Sequence, residues 1–151
     1  MSFSASQVVL AGLTGLLLGL LIWDLAFDTK DRFDSDDQRS VTEYYRGLHS
    51  APWFILFILP VVVLCVVGIL TAALIGSGSL KDAAALVLFV LGIGVEGAIA
   101  IPTERRLTDA ESRSADDETN SPAVPTLIRR IRNAHCAVAI MFLLAILLSL
   151  C

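Results

Sequence analysis

Four stretches of the chain, near 7–27, 52–76, 81–101 and 134–150, are apolar and almost uncharged. No other feature limits the possible folds so strongly. A bilayer core about 30 Å thick takes roughly 20 residues of helix but only 9–11 of a tilted strand. Within lipid every backbone N–H and C=O must be satisfied inside the structure, so helices or closed barrels are the only spanning solutions. The runs are too long for strands. The expected fold is therefore all-α: one integral-membrane four-helix bundle over residues 1–151. Composition agrees, since 56% hydrophobic residues against 17% charged leave too little polar surface for a water-soluble globule. The first run has no Lys or Arg before it and no clear small-residue cleavage site. It reads as an anchor instead of a removable secretory leader.

The connections differ in kind. After five aspartates between Asp28 and Asp37, Val41, Tyr44, Tyr45 and Leu48 recur at the i, i+3, i+4, i+7 spacing of one helix face. A short interfacial helix is expected here, either simply packed over the bundle mouth or lying along the interface with Tyr44, Tyr45, Leu48, His49 and Pro52 near headgroup level, where aromatic rings with polar atoms are favoured. Pro60 falls inside the second apolar run and should kink it. Gly76-Ser77-Gly78-Ser79 reads as a tight turn that makes the second and third spans an antiparallel hairpin. Residues 102–126 carry nine charged side chains between Glu104 and Glu118 and read as a mobile polar loop. The first connection holds four Lys or Arg and the last holds six, against Lys81 alone in the middle turn. The positive-inside rule then puts both large connections in the cytosol.

Glu96 is the most informative ionisable residue, because a carboxylate within a span is costly unless neutral, paired or wetted. It shares a helix stripe with Ala85, Phe89, Gly92 and Ala100, which points it at protein. His135 and Asn133 begin the fourth span at the same membrane face, and Asp24 ends the first span there. Asp24, Glu96 and His135 form a candidate intramembrane polar cluster, either a proton relay or binding notch or a purely structural contact. Cys65, Cys136 and Cys151 are isolated in apolar sequence and read as buried small hydrophobes. No metal-ligand spacing stands out, so neither metal nor cofactor is expected. A nucleophile beside a base is not recognisable either, and a non-enzymatic role is expected, with an enzyme or carrier built on Glu96 as the lesser reading. A net charge of -4 argues against nucleic-acid binding.

Small residues supply the other pattern. Gly12, Gly15 and Gly19 fall on one face of the first span, and Gly92, Gly94 and Ala98 bring small side chains to the third. Such faces let transmembrane helices approach closely. They serve either packing within the chain or docking of another protein's helices.

Leu16-Leu17-Leu18-Gly19, the acidic connection and Tyr44-Tyr45-Arg46-Gly47-Leu48-His49-Ser50-Ala51-Pro52, followed by Ser79-Leu80 and Leu86 to Ile93, cover about two-thirds of the chain in order. Together they resemble the fungal endoplasmic-reticulum packaging chaperones for amino-acid permeases, which are small four-span membrane proteins. The resemblance implies a multi-pass protein of the endoplasmic-reticulum membrane that binds newly made polytopic transporters and presents them to vesicle-coat machinery. This chain stops at Cys151, short of the polar tail associated with coat contact. Chaperoning is therefore expected to transfer more readily than coat recruitment. A small accessory or scaffold subunit of a stable membrane complex is the competing expectation.

Overall fold

A computed structural model describes residues 5–28, 35–49, 58–114 and 123–150. Among these residues every regular element is helical: α1 (Ala5–Asp28), α2 (Ser35–His49), α3 (Leu59–Ser77), α4 (Leu80–Val95), a π turn (Glu96–Ala100), α5 (Ile101–Ser114) and α6 (Ala123–Leu150). Four segments, Gln7–Leu25, Leu59–Ser77, Leu80–Asp109 and Val124–Ser149, are long and apolar enough to cross a bilayer. The protein is an all-α, multi-pass membrane bundle. Its circumference is lined by Leu16, Trp23, Leu64, Val87, Ile140 and Leu147, all well exposed. A surface this apolar is suited to lipid and not to water.

The membrane core is built where α1, α3, α4 and α6 meet. Leu10, Leu17, Leu21, Val66, Leu70, Ala85, Phe89, Val138, Phe142 and Ala145 are buried together. Phe89 and Phe142 stack with ring centroids 4.7 Å apart and planes 19° from parallel. Gly92 makes this possible, because a Cβ there would lie 2.7 Å from Cε1 of Phe142. Gly92 therefore serves packing within the chain, which corrects its assignment to partner binding. Cys65 and Cys136 are also placed differently from expectation, being exposed on the outer surface. Their apolar surroundings are lipid, not protein.

The α3–α4 hairpin has the expected tight connection, with Gly78 and Ser79 alone between the helices. Gly78 closes α3 at φ 60°, a left-handed conformation that favours glycine, and its N–H donates to the Leu74 carbonyl. The Ser79 hydroxyl then accepts from the Lys81 N–H and caps α4. Pro60 does not interrupt the described helix. It occupies the first turn of α3, where a missing N–H is tolerated.

The largest departure from expectation lies in 102–126. Residues 102–114 continue the third span as α5, and 123–126 open α6; only 115–122 lie outside the described residues. A proline in a helix lacks an N–H and its ring collides with the carbonyl four residues earlier. The turn just before Pro102 is the π turn, whose wider i→i+5 spacing, with the Ile101 N–H donating to the Glu96 carbonyl, absorbs that misfit. The Thr103 hydroxyl donates to the Ile99 carbonyl at 2.5 Å and adds a donor at the same place. Beyond it, Leu107 buries against Val41 and Tyr45 of α2 and Ile128 and Ile131 of α6. These five residues form a second core, separate from the first, where α2, α5 and the start of α6 meet. Of the two expected placements, α2 thus takes the one over the bundle mouth, as a structural cap held on its Val41–Tyr45 face. Leu48 and His49 complete α2, but their side-chain packing and Pro52 lie outside the described residues.

Candidate functional site

Between the membrane core and the cap, polar side chains converge from α1, α2, the π turn, α5 and α6. His135, on α6 one turn beyond Ile131, is fully buried. Its Nε2 lies 3.5 Å from Oε1 of Glu96 and 3.3 Å from Oε1 of Glu104. The Glu104 side chain is nearly as buried as the imidazole, whereas 23% of the Glu96 side chain remains accessible. The rings of Tyr45 and His135 are 6.4 Å apart, and Tyr45 meets Tyr44 edge-on at 5.2 Å. The Tyr44 hydroxyl donates to Oδ1 of Asp24. Tyr44 therefore links the cap to the end of α1.

A cavity of about 190 Å³ opens at this point. Its polar wall consists of Asp24, Tyr44, Glu96, Glu104 and Arg105, and its apolar wall includes Leu17, Leu21, Val63 and Val138. That volume accommodates several water molecules. Wetting from the cavity explains how three carboxylates are tolerated so near the hydrocarbon layer.

The π turn brings Glu104 into the site. In a regular α-helix, two residues eight positions apart point about 80° away from each other at roughly 100° per residue. One residue absorbed by the π turn leaves an effective separation of seven, about 20°. Glu96 and Glu104 consequently project along one side of the continuous helix. Glu104 was not among the sequence candidates, since its segment reads as a charged loop with Leu107 as its only large apolar anchor.

Of the expected polar cluster, Glu96 and His135 meet directly, and Asp24 joins them across the cavity through its bond to Tyr44. Asn133 is exposed and stands outside it. Among the described residues, Glu96, Glu104 and His135 could hold a metal ion, with candidate ligand atoms all within 4.8 Å of one another. Their separations of eight and thirty-one residues match no compact sequence motif. This explains why the sequence alone suggested no metal.

The small-residue candidates divide. Gly12, Gly15 and Gly19 are exposed, as are Gly94 and Ala98. A Cβ at any of the four exposed glycines would meet no atom within 4 Å.

No protein-family model matches the chain, and neither a curated protein nor a solved structure does. The fold and site together define a multi-pass membrane protein with a polar cavity at one end of its bundle.

Proposed function

We propose that the protein binds transmembrane helices of other membrane proteins, as a membrane-embedded chaperone or trafficking factor. Its clients on this reading are newly made polytopic transporters, including amino-acid permeases, in the endoplasmic-reticulum membrane. The carrying observation is the direction of the α1 glycines. Leu10, Thr14, Leu17 and Leu21 are buried against the bundle. At about 100° per residue they span about 60° of the helix, whereas Gly12, Gly15 and Gly19 fall about 140–200° from Leu10. The groove is thus on the side of α1 away from its own bundle. Glycine lowers helix propensity by about 1 kcal/mol relative to alanine. A lipid-facing run of glycines gains nothing from lipid in return, but it provides a close-approach surface for another helix. The tyrosine-to-proline resemblance supports the narrower assignment to permease biogenesis.

Photocrosslinkers at Leu16 and Leu20, which flank the groove, should capture immature permeases, while one at Ile140 on α6 should not. Gly15→Leu combined with Gly19→Leu should abolish capture and leave the bundle folded, and loss of the protein should hold permeases in the endoplasmic reticulum. Normal permease delivery without the protein would overturn the chaperone reading. Stable stoichiometric association on native gels would instead identify an accessory subunit.

A further inference from the structure

We propose that Glu96, Glu104 and His135 form a binding site for a divalent first-row transition-metal ion, with an open coordination position facing the cavity. This inference is independent of helix docking. A tetrahedral site with metal–ligand bonds near 2.1 Å has ligand–ligand edges of about 3.4 Å. The two distances from His135 Nε2 to the glutamate oxygens, 3.5 and 3.3 Å, match such edges. They are longer than an ordinary N–H···O hydrogen bond. The third edge is no more than 4.8 Å. Rotation of the partly exposed Glu96 side chain can shorten it.

Charge and support point the same way. A dication held between the two carboxylates offsets the repulsion of their negative charges. Imidazole favours zinc, iron, nickel and copper over magnesium and calcium, for which an all-oxygen shell is usual. The ligands stand on packed helices: both glutamates on the continuous α4–π–α5 segment, and His135 on α6, which packs on each part of it. Three protein ligands leave a fourth tetrahedral position. Because Glu96 and Glu104 line the cavity and His135 lies behind them, that position opens towards Asp24. The fourth ligand is water or another exchangeable oxygen donor.

The full chain, purified in detergent and freed of metal, is titrated with Co²⁺ as the probe. One Co²⁺ per chain should bind with the intense visible absorption of a tetrahedral centre. Equimolar Zn²⁺ should displace it, and a hundredfold excess of Mg²⁺ should not. Glu104→Gln and His135→Gln should each weaken Co²⁺ binding at least tenfold. Glu96→Gln, at the more exposed ligand, should do the same with unchanged helical circular dichroism, which separates ligand loss from misfolding. No Co²⁺ uptake by the wild-type chain, equal uptake by folded Glu96→Gln, or displacement by Mg²⁺ would each overturn the assignment.

Discussion

Gly92→Ala tests the closest packing in the membrane core. The added Cβ would stand 2.7 Å from Cε1 and 3.0 Å from Cδ1 of Phe142, with Met141 Cβ at 3.7 Å. Carbon atoms pack best at about 3.5–4.0 Å, so the ring must retreat by nearly 1 Å. It has little room, because Phe142 is 3% exposed and stacks on Phe89, which is fully buried. Overpacking of this kind costs about 1–3 kcal/mol, and a disturbed aromatic pair loses about 0.5–1.5 kcal/mol more. Alanine's higher helix propensity returns about 1 kcal/mol. The expected net loss is about 0.5–3.5 kcal/mol. Gly15→Ala has the same propensity gain without a contact, since nothing lies within 4 Å of its Cβ. It should leave the isolated protein unchanged or up to about 1 kcal/mol more stable. Unfolding by SDS in mixed micelles, followed by far-ultraviolet circular dichroism, measures both. In a Phe142→Leu background the Gly92→Ala penalty should shrink, because the ring atoms in the clash are gone. If Gly92→Ala is as stable as Gly15→Ala, the packing account is wrong.

Tyr45→Ala removes a fully buried ring from the cap core and should cost about 3–5 kcal/mol there. Limited proteolysis should cut α2 and α5 sooner while the spanning helices stay protected, and unchanged protease resistance would contradict the cap assignment. Gly78→Ala places a side chain at φ 60° and should destabilise the α3–α4 hairpin by about 1–2 kcal/mol in the SDS assay. Gly76→Ala, within α3 with ordinary backbone and open space, should be unchanged or slightly more stable, and equal behaviour of the two would refute the turn argument.

Glu96 shows how far a helix pattern reaches towards a site. Its stripe with Ala85, Phe89, Gly92 and Ala100 is helical periodicity, and Ala85, Phe89, Gly92 and Ala100 are indeed buried. His135 was legible as its partner because adjacent membrane ends must share a face. Glu104 was not, because its direction depends on a π turn and its helix depends on Leu107 finding Val41, Tyr45, Ile128 and Ile131. With Ile101 and Leu107 as its only large apolar residues among many charges, α5 has too short an apolar face to be told from a charged loop. The glycines illustrate the opposite limit: sequence spacing put several small residues on helix faces but could not say which face meets the bundle. Gly92 turned inward against Phe142, whereas Gly12, Gly15 and Gly19 turned away.

The sequence by itself determined that this protein lives in a bilayer as an all-α bundle with four spans. Lipid imposes that result, because it demands about 20 apolar residues per helix and internal satisfaction of every backbone polar group. It also determined the α3–α4 hairpin, since two turn residues leave no other geometry. Only the tertiary structure decided that the charged 102–114 segment is helical, which of its two expected placements α2 takes, and that Glu104 stands beside Glu96 and His135. Those outcomes rest on which faces meet between residues far apart in the chain and on a single widened turn ahead of Pro102, neither of which helical periodicity specifies.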